Sequence, residues 1–266
     1  MSDMRIICVI PARYASTRFP GKPLAPLCGK PMIQWVYECA RSARMVQKAY
    51  VATDDRRIHD AVSAFGGNAV MTSGNYQSGT DRIADVVKNM ECDIVVNLQG
   101  DEPAMNPETI DLAVKALISD PACDISTAMV RIRDENIYLS PNVVKVVCSL
   151  DGQALYFSRS PIPSRARAGG KTEYERFFGY KHLGLYVYRK DALLSFPTLQ
   201  PTFLEKLECL EQIRFLEYHY RVKVVETPHD SIGVDTPEDL KALEARIKGG
   251  CGDDVRGQGR KVSSHD

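Results

Sequence analysis

Within residues 4–37 stand five cations, Arg5, Arg13, Arg18, Lys22 and Lys30, and no carboxylate. The stretch PARYASTRFPGKP interleaves Arg13, Arg18 and Lys22 with Ala12, Ala15, Ser16 and Gly21, small residues that let backbone approach a ligand closely. Clustered guanidinium and ammonium groups on such a loop suit a polyphosphate. The loop carries neither GxxxxGK[ST] nor GxGxxG, which excludes the two common phosphate-binding turns. Its plainer reading is a solvated basic loop. Further along, the apolar run DIVVNLQ ends at Gly100, Asp101, Glu102 and Pro103. A carboxylate at the end of a buried strand, opposite a basic loop, is a natural ligand for Mg²⁺, which takes one or two carboxylates together with phosphate oxygens. Asp235 is a second candidate ligand, although an acid just before a helix also complements the helix dipole. Residues 159–182 carry six cations, Arg159, Arg165, Arg167, Lys171, Arg176 and Lys181, against Glu173 and Glu175, and could serve an acidic co-substrate. His182 sits on a strand, where a satisfied core histidine is the commoner case. No GxSxG, HExxH or DxD occurs, so serine hydrolase, zincin and DxD glycosyltransferase readings lose support.

The elements that must position these groups alternate in the first half of the chain. Short apolar runs at 5–11, 49–54, 68–73 and 93–99 read as strands, and the segments from Pro31, 56–65, 80–90 and Pro107–Ser119 read as helices. That alternation indicates an α/β fold with a mostly parallel sheet covered by helices, and ligands collect at the carboxyl ends of such strands. After residue 124 the texture changes. DISTAMVRI and NVVKVVCSL read as strands with no helix between them, and Asp151-Gly152 makes a hairpin turn. HLGLYVY and VKVVET read as strands, and 205–220 as one well-buried helix. Thr236, Pro237 and Asp239 supply an N-cap, a first-turn proline and a capping-box acid for a last helix to Lys248. One domain over 1–248 with a smaller antiparallel insertion accounts for this pattern, and 249–266 reads as a disordered tail.

The 266 residues balance 34 Lys+Arg against 34 Asp+Glu. A neutral chain argues against nucleic acid or an anionic membrane as partner. Eight cysteines without a CxxC disfavour a zinc or redox motif. Cys8, Cys39 and Cys148 lie in apolar runs and read as small buried hydrophobes. The apolar run Ile6–Ile10 is too short for a signal peptide, so the expected compartment is the cytoplasm.

Taken in order, PARYASTRFPGKPL, QSGTDRIAD, NLQGDEP, NVVKVV, ALYFSRSPIP, KHLGLYVY, LECLEQIR and GVDTPEDL resemble the 3-deoxy-manno-octulosonate (Kdo) cytidylyltransferases of lipopolysaccharide assembly, over about residues 5–247. The resemblance implies a nucleotide-diphospho-sugar-transferase-like, Rossmann-like three-layer fold. It also implies a homodimer and a Mg²⁺-dependent reaction in which the anomeric hydroxyl of Kdo attacks the α-phosphate of CTP. Carried across, it implies Ala12, Arg13, Arg18, Lys22, Thr53, Ser78 and Gln99 for the nucleotide. Arg159, His182, Tyr186, Glu211 and Gln212 match its sugar-acid pocket, and Asp101 and Asp235 its metal ligands. Arg13, Lys22 and Asp101 fall nearest the chemistry. Phe19 stands where the family usually has Leu, and Asp81 where it often has Glu. The rival readings are a relative acting on 8-amino-Kdo or another acidic sugar, a glycosyltransferase, and a nucleotide-binding module without turnover.

Overall fold

Strands buried on both faces need continuous β-branched runs, and β1 (Ile6–Ala12) is buried at every position. The computed structural model describes residues 4–73, 76, 78–167 and 177–249. The rest of the expected tail, 250–266, and residues 168–176 of the basic segment, with Lys171 and Arg176, lie outside the described residues. After β1, the basic loop folds through a 3₁₀ turn (Lys22–Leu24) into the small hairpin β2 (Pro26–Leu27) and β3 (Lys30–Pro31), followed by α1 (Met32–Ser42). β4 (Lys48–Thr53), α2 (Arg56–Ala64), β5 (Ala69–Met71), α3 (Gly79–Val87), β6 (Ile94–Leu98) and α4 (Pro107–Ser119) continue the alternation.

β7 (Ile125–Ile132) begins the second half. It leads through α5 (Glu135–Leu139) to the antiparallel pair β8 (Lys145–Cys148) and β9 (Ala154–Ser158), joined at Asp151-Gly152 as expected. The long strand β10 (Gly179–Arg189) precedes α6 (Lys190–Ser195), α7 (Phe203–Glu208), α8 (Gln212–Glu217), β11 (Val222–Glu226) and α9 (Pro237–Lys248). The main sheet runs β11-β7-β10-β6-β1-β4-β5, with β8 and β9 attached beside β10. β1 pairs in parallel with β4 and β6, and β7 in parallel with β11. β10 is antiparallel to both β6 and β7 and joins the two parallel sets.

Two expectations for the second half need correction. Residues 205–220 are not one helix. Cys209 adopts φ 54°, a left-handed cap that ends α7 and redirects the chain before α8. A buried bidentate ion pair, Arg214 to Glu205 with Nε–Oε2 at 2.8 Å, fastens the two short helices together. The apolar residues that surround the sequence wheel therefore serve different helices: Ile213 and Phe215 are buried in α8, whereas Phe203 and Leu207 of α7 are exposed. The second correction is α5, a single short helix between β7 and β8, capped by the Asp134 side chain on Asn136 N at 2.8 Å. The capping box of Thr236 and Asp239 forms as expected, as does burial of Cys8 and Cys39, whereas Cys148 is half-buried.

The carboxyl ends of β1 and β6 approach closely. A Cβ at Gly100 would lie 2.7 Å from the carbonyl oxygen of Pro11, so only glycine lets β6 run past β1 there and deliver Asp101 to the basic loop. Gly100→Ala is expected to cost about 1–3 kcal/mol and to lower the melting temperature by several degrees; an unchanged melting curve would show that this crossing gives way freely.

Candidate active site at the carboxyl ends of the strands

Lys22 enters from the 3₁₀ turn, where Gly21 at φ 73° packs against the Tyr14 ring and brings the loop back over the sheet. The Lys22 ammonium is largely buried and makes three contacts. It donates to Asp101 Oδ2 at 3.0 Å, to the Val234 carbonyl at 2.8 Å and to Asp235 Oδ1 at 3.4 Å. Arg18 pairs with the other oxygen of Asp235 at 3.1 Å. The two carboxylates expected to bind metal, one after β6 and one before α9, thus converge on one cation of the basic loop. Arg13 reaches to the Tyr76 carbonyl at 3.1 Å, tying the loop to the segment before α3.

These groups border a cleft of about 890 Å³. Of the residues singled out in the sequence, Arg13, Arg18, Ser78, Gln99, Asp101, Arg159, His182, Tyr186, Glu211, Gln212 and Asp235 line it. Lys22 is not among its lining residues, although Asp101 and Asp235, which it bonds, are; nor are Ala12 and Thr53. The last two are register partners at the ends of β1 and β4, and Thr53 is fully buried, its hydroxyl accepting from Asp55 N at 3.2 Å. Ser78 caps α3 in a reciprocal box with Asp81, and Gln99 lies beside Gly79 at the helix start. Of the basic segment, Arg159 and Lys181 line the cleft, whereas Arg165 and Arg167 are not among its lining residues.

A register shift in β10 between His182 and Tyr186 shapes the far end of the cleft. The two rings pack at 5.2 Å, and Phe157 meets the His182 ring edge-on at 5.0 Å. Thr127 Oγ1 donates its one proton to the Leu185 carbonyl at 2.6 Å, so at 2.8 Å from His182 it must accept from Nε2. That assigns the Nε2–H tautomer and leaves Nδ1 as an acceptor. Burial pushes the His182 pKa down to about 3. The ring is satisfied by Thr127, as a core histidine is, and it also lines the cleft. Glu211 receives Thr80 Oγ1 at 2.9 Å on Oε1, while its Oε2 is buried without a partner. Burial raises its pKa, against the opposing hydrogen bond from Thr80.

Two cleft residues were passed over in the sequence. Glu102 lines the cleft half-buried, accepting from Gly184 N at 3.3 Å and from the Ser231 hydroxyl. Burial first, then the adjacent Asp101 charge, push its pKa up to about 7. Its place beside Asp101 in the strand-end turn was the available signal. Lys181 donates to Asp230 at 2.9 Å and to the Ser231 carbonyl at 2.6 Å, holding the loop before Asp235. It was read only as one cation among many.

A family model described as cytidylyltransferase matches residues 7–224. A 3-deoxy-manno-octulosonate cytidylyltransferase of Geotalea uraniireducens is 52% identical over 250 residues, covering 92% of this chain and 100% of its own. One of Geobacter sulfurreducens is 51% identical with the same coverage. The structure of CMP:2-keto-3-deoxy-manno-octonic acid synthetase complexed with CTP aligns with a TM-score of 0.85 at 41% identity, over 92% of this chain and 99% of that one. A 4-diphosphocytidyl-2C-methyl-D-erythritol synthase of Anaerococcus prevotii, at 14% identity and a TM-score of 0.62, shares the fold over 92% of this chain and 97% of its own.

The His182 environment gives a pH dependence of stability. Because its pKa is lowered in the fold, the unfolded chain takes up the proton first as pH falls. The neutral ring's stabilisation is complete above its ordinary value of 6.5 and is lost as pH falls from there towards about 3. His182→Gln keeps a donor towards Thr127 but does not titrate. Between pH 6.5 and about pH 5.5 the wild type should lose about 1 kcal/mol more than this variant in denaturant unfolding. Parallel curves would show that His182 is protonated freely in the fold. The raised acids Glu102 and Glu211 are common to both proteins and cancel.

Proposed function

The chain belongs to the 3-deoxy-manno-octulosonate cytidylyltransferase family, and on that premise we propose how its own residues divide the joining of Kdo to CTP, which forms CMP-Kdo and pyrophosphate. The observation that carries the assignment is the single cleft. Arg13 and Arg18 of the cationic loop, the convergent carboxylates Asp101 and Asp235, and Arg159, His182, Tyr186, Glu211 and Gln212 all line it.

The anomeric hydroxyl attacks the α-phosphorus, the bond to the bridging oxygen breaks, and pyrophosphate leaves. Such displacement needs in-line placement and charge neutralisation more than a protein nucleophile. Arg13, Arg18 and Lys22 stabilise the charge that grows on the departing pyrophosphate. Ser78, Gly79 and Gln99 flank the nucleotide. Arg159 pairs with the sugar carboxylate, and the unpartnered Glu211 Oε2 accepts from a sugar hydroxyl. A buried acceptor left unpaired by an analogue lacking that hydroxyl gives strong discrimination, on the order of 10⁴-fold.

The donor set suits Mg²⁺. Asp101 and Asp235 offer hard oxygens already gathered around one positive charge, and among the described residues no cluster of three or more His, Cys, Asp or Glu forms a closed cage. Two carboxylates with the remaining positions left to phosphate oxygens and water is the usual arrangement for this ion. Bound there, Mg²⁺ would supply charge neutralisation at the phosphate oxygens.

We also propose a homodimer working in the cytoplasm. Leu139, Leu150, Leu155, Phe203 and Leu207 are exposed, and all lie on the β8–β9 insertion or on its neighbours α5 and α7. The described cysteines are all free, and no helix among the described residues is long and apolar enough to cross a membrane. Light scattering should give twice the chain mass, and Leu155→Asp should shift it towards the monomer; a monomeric wild type would remove the dimer.

Pyrophosphate release with Mg²⁺ and CTP should require Kdo, with 8-amino-Kdo and no-sugar controls inactive. Release only with the amino sugar would reassign the sugar end, and none with either would leave a binding module. Asp101→Asn and Asp235→Asn should each lower kcat by about 10²-fold or more, far beyond what any loss of stability explains while the protein still melts cooperatively above the assay temperature; near-normal turnover would remove that residue from the metal site.

A further inference from the structure

Lys145 begins β8, between Val143-Val144 and Val146-Val147, and its residue surface is fully buried. A buried ammonium is costly unless its protons are all taken up. Here they go to carbonyl oxygens, those of Ser140 at 2.9 Å, Val143 at 2.6 Å and Arg159 at 2.5 Å. One side chain thus ties the turn before β8 to the chain just after β9, where Arg159 follows Ser158, the register partner of Lys145.

Those segments form the sugar end of the cleft. The Arg159 guanidinium donates to the Pro141 carbonyl at 3.2 Å, within the turn that Lys145 holds, and to the Glu208 carbonyl at 3.0 Å. Asn142, Val143 and Val144 line the wall, and the Val144 carbonyl accepts from His182 N at 2.9 Å. The Glu208 carboxylate is engaged by Ser158 Oγ at 2.6 Å and Arg159 N at 2.9 Å. Two cations and one committed carboxylate leave this corner with an excess positive charge. Burial, and next the Arg159 charge, lower the Lys145 pKa, with Glu208 acting in the opposite sense.

We propose that Lys145 is a positioning residue for the acidic sugar, fixing the Arg159 backbone and the 140–144 wall so that the guanidinium meets the sugar carboxylate in one orientation. This rests on the assignment of Arg159 to that carboxylate. An apolar residue would fill the same strand position without burying a charge, so the lysine is explained by what it holds in place.

The test compares Lys145→Met, Lys145→Arg, Arg159→Ala and the Lys145→Met/Arg159→Ala pair, with steady-state kinetics in both substrates, calorimetric CTP binding and melting curves. Lys145→Met should raise the KM for Kdo about 10-fold or more while the KM and affinity for CTP stay within about threefold. Lys145→Arg keeps the charge but cannot place three donors on these carbonyls, and should show the same split with a near-normal melting curve. It decides the matter should the methionine variant not fold. In the Arg159→Ala background, Lys145→Met should add little to the sugar KM, because the two act through one contact. If Arg159→Ala alone leaves the sugar KM unchanged, the carboxylate assignment fails. If Arg159→Ala raises it but neither Lys145 variant does, or if the Lys145 variants affect CTP and Kdo equally, the positioning role is overturned while the assignment stands.

Discussion

An ammonium seated between carboxylates brought from distant parts of the chain gives this cleft its form. Lys22 meets Asp101 across 79 residues and Asp235 across 213, and its third bond reaches the Val234 carbonyl. Without that cation, two acids gathered from the end of β6 and the approach to α9 would repel one another, and the basic loop would lose the partners it folds over. With it, the loop, the end of β6 and the start of α9 become one wall. The same oxygens are those proposed to hold a divalent ion, so the cohesion of the cleft and its proposed chemistry draw on the same charges.

The sheet serves that arrangement by an unusual splice. β10 runs antiparallel between β6 and β7, so the carboxyl end of β6 lies next to the middle of β10, with Leu98 beside Leu185. The register shift between His182 and Tyr186 falls just there. Gln99 N bonds to the Gly184 carbonyl at 3.2 Å, and Glu102 packs against the same glycine. The strand-end turn after β6 and the middle of β10, both of which line the cleft, are therefore joined by direct backbone contact.

Much of this was readable in the sequence where the signal is local. The Thr236–Asp239 capping box, the Asp151-Gly152 hairpin and the apolar strands of the first half each depend on residues a few positions apart. The cationic loop and the acids after DIVVNLQ could be named because composition marks them. The break at Cys209 could not, because a non-glycine residue carries no mark of a left-handed cap, and what holds it there is the Glu205–Arg214 pair and the packing of α8. Thr53 was assigned by resemblance and turned out to be enclosed, since a strand-end residue can lie in the cleft or one pleat beneath it. Lys145 and Glu102 escaped for a common reason: burial of a charge is decided by what surrounds it, and those surroundings come from segments remote in sequence.

The last helix bears on how the molecule comes into being. α9 packs Leu240 and Leu243 against Leu27 and Met32, and Glu244 accepts from Cys28 N, so one end of the chain is laid upon the loop near the other. During synthesis the basic loop leaves the ribosome some two hundred residues before Asp235 does. The strands β1, β4, β5 and β6 have all emerged by Leu98, yet the partner that completes the charge balance around Lys22 is among the final pieces delivered. Until Asp235 arrives, the nascent chain thus carries a cationic loop that only Asp101 of the two acids can balance. The cleft takes its described form only when the segment that carries Asp235 and α9 arrives, so its assembly follows the order of synthesis from first loop to last helix.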